Sequence, residues 1–348
     1  MPLPSLTPLL GTAWPLIQAP MAGAQGSAMA LAVSRAGGLG SLPGALLSPQ
    51  ALRDELQRLA AADGLPFNVN FFCHTAPAAE AVVLDRWRAA LQPWYAELAA
   101  GDAGPGASRN AFDTATAELI EPFRPPVVSF HFGLPAAPLL ARVKGWGARV
   151  LASATTVDEA RWLVEHGADA VIAQGLEAGG HRGHFLDLDD LTRQAGTFAL
   201  LPQVVAAVGD RVPVIAAGGI ADAAGVAAAM ALGAAGVQVG TAYLLCPEST
   251  ISRLHRAALQ DPARARHTAL TRVFTGRPAR GIVNRAMREI AAEPPPFPLA
   301  GGAMAPLRAA AEARGSGEFS PLWAGQNTSG CRAEGAAEVT RALAAAFS

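Results

Sequence analysis

Cysteine is scarce in this chain. Its 348 residues include three, Cys73, Cys246 and Cys331, far apart and never in a C-x-x-C pair. That spacing excludes a disulfide framework and a cysteine-based zinc site, and it suits a reducing compartment. Charge is thin as well. Lys and Arg number 27 against 28 Asp and Glu, a formal net charge of −1, so no global field draws the chain to nucleic acid or an anionic membrane. No apolar run reaches the ~20 residues of a membrane helix without glycine, proline or charge interrupting it. The first thirty residues lack the basic start and apolar core of a signal peptide. The expectation is a soluble, cytoplasmic protein whose partner is a small molecule. Nothing selects between a monomer and a homodimer.

What is present is apolar material, 51% of the residues, divided into short runs. Leu16–Met21, Gly38–Pro43, Phe67–Phe72, Val127–Phe132, Ala148–Ser153, Ala170–Gln174, Val212–Ala217 and Gly236–Thr241 each end in glycine, proline or polar residues. Continuous rather than alternating apolar strands are what a parallel sheet buried on both faces requires. Alanine-rich helical stretches such as 156–166 and 222–232 lie between them. Thr156 with Glu159 reads as a capping box and Asp222 as an N-cap. Eight strands with intervening helices predict an α/β fold, a (β/α)8 TIM barrel, in preference to an open doubly wound sheet. The expected organisation is a barrel over 1–249 and a mostly helical lobe over 250–348 that caps the C-terminal face. An irregular insertion of about 74–126 follows the third strand and includes the loop Gly101-Asp102-Ala103-Gly104-Pro105-Gly106.

Barrel enzymes carry their reactive groups on loops after the C-terminal strand ends. On this register Met21, Asn70, His131, Gln174, His181, Gly218 and Thr241 fall there. The densest motif is Glu177-Ala178-Gly179-Gly180-His181-Arg182-Gly183, one imidazole inside a glycine-rich turn. As a structural residue His181 would cap a loop carbonyl. As a catalyst, with an unperturbed pKa of ~6.5, it would exchange a proton near neutrality. The flanking glycines, which leave room for a substrate, favour catalysis. His131 is either a second substrate contact or a satisfied core histidine. His184 with His181 makes a poor metal site, for no carboxylate or thiol stands at ligand spacing, and no metal is expected.

Gly218-Gly219 and Gly240-Thr241 close the seventh and eighth runs, where barrels commonly hold a phosphate. Their backbone amides and the positive end of the helix begun by Asp222 would offset its charge. Asn70 and Gln174 are amides at apolar strand ends. Each meets either the edge of a flavin ring or the loop backbone. Gly37-Gly38-Leu39-Gly40-Ser41 begins like a dinucleotide-binding turn, but Pro43 occupies the sixth position from Gly38 and the acidic partner is missing.

Together these residues resemble the nitronate monooxygenase family, formerly called 2-nitropropane dioxygenases, in its class I branch. The resemblance runs from Gln18-Ala19-Pro20-Met21-Ala22-Gly23 through Asn68-Val69-Asn70-Phe71 to Gln238-Val239-Gly240-Thr241, and Leu322-Trp323-Ala324-Gly325-Gln326 resembles a tail motif. It implies an FMN-dependent barrel that oxidises alkyl nitronates, propionate 3-nitronate by default, with O2 to a carbonyl compound and nitrite, a detoxifying role. FMN would contact Met21, Ala22 and Gly23 along one edge, and Asn70, Gln174, Gly179 and Gly180 at the ring and ribityl chain. Gly218, Gly219 and Gln238, Val239, Gly240 and Thr241 would hold the phosphate end. His181 matches the family's catalytic histidine. The branch tends to line its pocket with tyrosine, whereas this chain has only Tyr95 and Tyr243. The nearest alternative is an FMN-dependent enoyl-thioester (enoyl-ACP) reductase using NAD(P)H. An IMP dehydrogenase-like barrel would need a cysteine after the sixth strand, and none lies there. The alternative outside enzymes is an FMN or phosphate sensor.

Overall fold

All eight apolar runs become strands of one parallel sheet, two of them (Phe67–Phe72 and Ala170–Gln174) with the expected ends and the others within three residues of theirs. The computed structural model describes residues 5–62, 64–78, 80–102, 110–188 and 190–347. In chain order come β1 (Leu16–Gln18), β2 (Gly40–Pro43), β3 (Phe67–Phe72), β4 (Val127–His131), β5 (Arg149–Ala154) and β6 (Ala170–Gln174). A two-residue β7 (Gly180–His181) stands outside the barrel wall, which continues with β8 (Val214–Ala217) and β9 (Gly236–Val239). Neighbours run β1-β9-β8-β6-β5-β4-β3-β2. A parallel bridge between Ile17 and Leu39 then brings β1 to the start of β2, so the ring is nearly closed. Strands β2, β3, β6 and β8 are buried at every position, the burden that their unbroken apolar sequences anticipate.

Helix 157–165 begins at Thr156, whose Oγ1 accepts from Glu159 N at 3.2 Å. The expected capping box is only half formed. The buried Glu159 carboxylate accepts instead from Thr155 N at 2.7 Å and from Phe185 N at 2.6 Å. It thereby ties the end of β5 to the loop beyond β6. Asp222 does cap helix 223–231, accepting from Gly225 N at 2.8 Å.

Two expectations about the additions to the barrel need correction. The 74–126 stretch is not irregular. It holds an 18-residue helix, Ala81–Leu98, and a second helix, Thr114–Ile120, that packs on the barrel wall; Ala103–Gly106 lie outside the described residues. Nor is the chain beyond 249 simply a helical cap. It contributes β10 (Thr268–Thr271) and β11 (Ala279–Ile282), and β7 pairs antiparallel with β11 in a three-stranded sheet. Its last helix, Ala336–Ala344, returns to the barrel's outer layer, where Ala336, Val339 and Leu343 share a core with Met29 and Val33.

The inserted helix docks on this lobe. Trp87 is 1% exposed, and its indole Nε1 donates to Ala300 O at 3.3 Å, while Tyr95 OH donates to Ala303 O at 2.6 Å. Both carbonyls belong to helix 300–313, and Trp87, Leu91 and Leu98 share its core with Met304 and Leu307. Trp87→Ala should therefore lower unfolding stability by about 3–5 kcal/mol, read as a drop in denaturant midpoint. A loss under about 1 kcal/mol would mean that this core is not built as described.

Candidate functional site

The glycine-rich motif leaves β6 and turns at once into β7, where sheet pairing rather than loop freedom positions His181. Ala279 of β11 lies opposite His181, and Arg280 opposite Gly180. Arg182 N donates to Pro278 O at 2.8 Å. On the other edge of the motif, His181 O accepts from Gln174 Nε2 and from His131 Nε2, both at 3.1 Å. Gly183 N completes the frame by donating to Gln174 Oε1 at 2.8 Å.

The imidazole of His181 meets Thr275 Oγ1 through Nε2 at 3.0 Å. Around it stand Phe297 at 5.3 Å, Trp323 at 5.8 Å, Phe132 at 6.0 Å and Phe72 at 6.3 Å between ring centroids. Four aromatic side chains thus surround one titratable ring. Phe132 holds a left-handed backbone at φ 72°, a conformation that costs a bulky residue on the order of 1–3 kcal/mol and persists only where the surroundings enforce it. The Phe132 ring is enclosed by Phe72, His131 and Phe297, and the Arg277 guanidinium carbon lies 3.9 Å from its centre.

Two glycines of the motif serve the protein itself. A Cβ on Gly183 would come 2.8 Å from His131 Cε1 and 3.1 Å from Ser153 Cβ. One on Gly179 would come 2.6 Å from both Ala324 C and Gly325 N. The space expected for a substrate is at these positions filled by a histidine and by the tail segment.

The buried charges beneath the motif are unusual. Arg182 is 0% exposed, and it donates to Gly175 O at 2.6 Å, Gln174 O at 2.8 Å and Gln194 Oε1 at 2.7 Å. Arg277 donates to Arg182 O at 3.4 Å and to His184 O. Burial lowers both guanidiniums to about 10, which leaves them protonated. Arg280, also lowered by burial, donates to Leu176 O at 3.0 Å. Carbonyl oxygens take their hydrogen bonds, while the Glu159 carboxylate acts through space on Arg182 and Arg277, and that of Glu177 on Arg182 and Arg280.

His131, for which the sequence leaves both a substrate contact and a satisfied core histidine open, spends its ring nitrogens within the fold. Nε2 faces a carbonyl, which only accepts, so Nε2 carries the proton, and Nδ1 takes the hydroxyl proton of Ser153 at 3.0 Å. Both ring nitrogens are engaged within the protein. Burial, chiefly, pushes the ring's pKa down to about 3. The amides behave likewise. Gln174 serves the motif backbone, and Asn70 Nδ2 donates to Ser129 O at 3.1 Å and Oγ at 3.0 Å.

The glycine turns lie on the adjacent strand ends. Gly218 and Gly219 are both left-handed, at φ 113° and 75°, and a side chain at Gly218 would strike Thr197 Oγ1 at 2.9 Å. Glu177 anchors Thr197 by accepting from its N at 2.8 Å and its Oγ1 at 3.0 Å. The tail joins the two turns. Gly325 N donates to Thr241 Oγ1 at 2.9 Å and Asn327 Nδ2 to Gly219 O at 2.9 Å. Met21 reaches the second turn, with its Sδ 3.6 Å from where a Cβ of Gly240 would lie. Ala22 and Gly23 form the turn that Ala24 N closes onto Met21 O at 3.0 Å. Gln238 is half-buried, whereas the Val239 side chain is buried in the wall and its carbonyl accepts from Ala19 N at 2.8 Å.

Sequence reasoning missed Thr275, Arg277 and the aromatic walls Phe72, Phe132 and Phe297. Glu177 and Arg182 lay inside the motif, but nothing in the string marks them as an anchor and a buried cation. For Thr275 and Arg277 the only signal is Gly276 between them.

Comparison with known proteins identifies the family. A model of the nitronate monooxygenase family matches residues 4–344. The nitronate monooxygenase of Paraburkholderia phytofirmans is 42% identical, over 97% of this chain and 93% of that protein. Among solved structures, nitroalkane oxidase from Streptomyces ansochromogenes superposes with a TM-score of 0.88 at 40% identity, over 98% of this chain and 97% of that one. FabK from Thermotoga maritima does so with 0.72 at 28% identity, over 98% and 95%.

Three histidines enclosed by the fold are held neutral and should weaken it toward acid. His131 sits at about 3, and His184 and His255 at about 4, all lowered chiefly by burial from 6.5. The unfolded chain binds protons that the folded one refuses, so their contribution is complete above pH 6.5 and is lost as pH falls toward 4. Each histidine should remove about 1.4 kcal/mol of stability per pH unit in that window. Denaturant midpoints at pH 7.5, 6 and 5 check this; a flat series would overturn the burial of these rings in their neutral form.

Proposed function

The chain belongs to the nitronate monooxygenase family, an oxidoreductase family, and from that premise we propose that it oxidises alkyl nitronates with FMN and O2 to carbonyl compounds and nitrite, propionate 3-nitronate among them. The observation that carries the reading is His181, an imidazole walled by four aromatic rings and fixed through Thr275 Oγ1 at 3.0 Å. Apolar walls suit an alkyl chain. The imidazole removes the α-proton from a neutral nitroalkane or, with a proton on the ring, holds the nitronate anion.

The residues present fit FMN. The successive left-handed turn Gly218-Gly219 leads into the N-terminus of helix 223–231, and Gly240-Thr241 opens a neighbouring short helix at 241–243. Asp222 occupies Gly225 N itself, so turn amides and the helix dipole remain for a phosphate. Met21 and the tail at Gly325 close the same corner. When bound, FMN supplies the electron-accepting ring. The chain's own contribution is to orient the nitronate beside His181 and to exclude water with Phe72, Phe132, Phe297 and Trp323. Arg182, Arg277 and Arg280, three cations against the carboxylates of Glu159 and Glu177, leave an excess of positive charge that would bias the site toward an anion without meeting it directly. We propose further that it acts in the cytoplasm as a scavenger of toxic nitro compounds.

Oxygen uptake by the FMN-loaded protein given a nitronate, with nitrite measured and NADH oxidation as control, tests this. We expect oxygen consumption and nitrite without NADH use, and a loss of about 10²–10⁴-fold in turnover for His181→Asn with FMN still bound. Inertness toward nitronates with fast flavin reduction by NADH or NADPH would replace the reading by an enoyl-thioester reductase. FMN binding with no turnover of either kind would leave a sensor.

A further inference from the structure

Three of the four carbonyls from His181 to His184 are taken by side chains from elsewhere in the fold. His181 O accepts from His131 and Gln174, and Arg182 O and His184 O accept from Arg277. His131 stands at the centre of this arrangement. It ends β4, its Nδ1 is fixed by Ser153 at the end of β5, and its Nε2–H reaches across to the motif. The absence of a side chain at Gly183 is what permits that approach, since a Cβ there would lie 2.8 Å from His131 Cε1. A carbonyl that accepts from two enclosed donors has its peptide plane fixed in two directions, and the peptide of His181 sets where its imidazole points.

We propose that His131 is a positioning residue for the nitronate reaction, acting through the carbonyl of His181 and not by contact with substrate. The inference rests on the proposed function but concerns the geometry of the motif, which is measurable without turnover. The ring must be neutral to do this, donating from one nitrogen and accepting at the other. Its depressed pKa of about 3 keeps it so throughout the physiological range. Gln174 provides the second donor, which makes loss of His131 a partial rather than a total disruption.

The test compares His131→Phe, which retains a ring but no donor, with His131→Gln, whose amide reaches toward the same carbonyl. In the FMN-loaded protein, His131→Phe should lower kcat by about 10- to 100-fold with KM changed less than about twofold, and His131→Gln should restore kcat to within about threefold of the parent. A rise in KM at unchanged kcat would make His131 a substrate contact, and unchanged kinetics with lower stability would make it packing only; either overturns the proposal. Should His131→Phe fail to fold, Ser153→Ala decides. It removes only the donor to Nδ1, and an undiminished kcat in it overturns the proposal. Modification by diethyl pyrocarbonate, mapped by mass spectrometry, gives a readout independent of nitronates. The rate at His181 should change at least about threefold in His131→Phe and return in His131→Gln. If no variant or parent turns over a nitronate, the functional reading fails, while an unaltered rate at His181 would sink the positioning role by itself.

Discussion

The pairing of Gly180–His181 with Ala279–Arg280 is the contact on which the site depends. A turn containing three glycines is costly to order, because each residue fixed gives up about 1–2 kcal/mol of backbone entropy and glycine gives up the most. Strand pairing on one edge and the His131 and Gln174 donors on the other provide the compensating bonds. The same pairing joins the lobe to the barrel, for β11 also bridges to Trp323 through Gly281. The barrel supplies the imidazole, while the lobe supplies Thr275 and two of the aromatic walls, Phe297 and Trp323. Neither part contains the site alone.

This arrangement changes the meaning of the motif's glycines. Read along the chain, glycine beside histidine signals room for a ligand. In the fold, Gly183 is small because His131 and Ser153 press against it, and Gly179 because the tail at Ala324–Gly325 does. The substitution pattern expected of such positions is that of close packing. A methyl group at either meets atoms held by their own hydrogen bonds, so it would displace the motif rather than merely narrow a cavity.

The barrel was legible because its signal is local. Eight continuous apolar runs, each ended by glycine or a polar residue, say both that strands exist and that both faces are covered. The position of His181, His131, Gln174 and the two glycine turns at strand ends followed from the same register. What escaped depends on partners distant in sequence. Thr275 and Arg277 lie in a segment without periodicity, about a hundred residues beyond the histidine they support. A two-residue strand such as β7 has no pattern at all. Helix 81–98 is a different case: Trp87, Leu91 and Leu98 recur at helical spacing on its buried face, but Pro93 within it and the glycine-rich loop after it suggest irregular chain.

On the proposed reading, the three arginines below the motif outnumber Glu159 and Glu177, the carboxylates acting on them, and so leave an excess of positive charge for an anion. An ion pair in direct contact with a nitronate would bind the ground state firmly and give little back as charge leaves the substrate. Arg182, Arg277 and Arg280 are instead committed to carbonyls at 2.6–3.5 Å, and no side chain has to reorganise when charge shifts above them. Their effect reaches the site as a field through a medium of low dielectric, where it is stronger than across water. It acts first on the neighbouring histidines: Arg277 and Arg182 add to burial in keeping His131 and His184 neutral. A neutral His131 is also the form that donates to His181 O while accepting from Ser153. The cations proposed to favour the substrate's charge therefore also hold His131 in the protonation state that its two hydrogen bonds require.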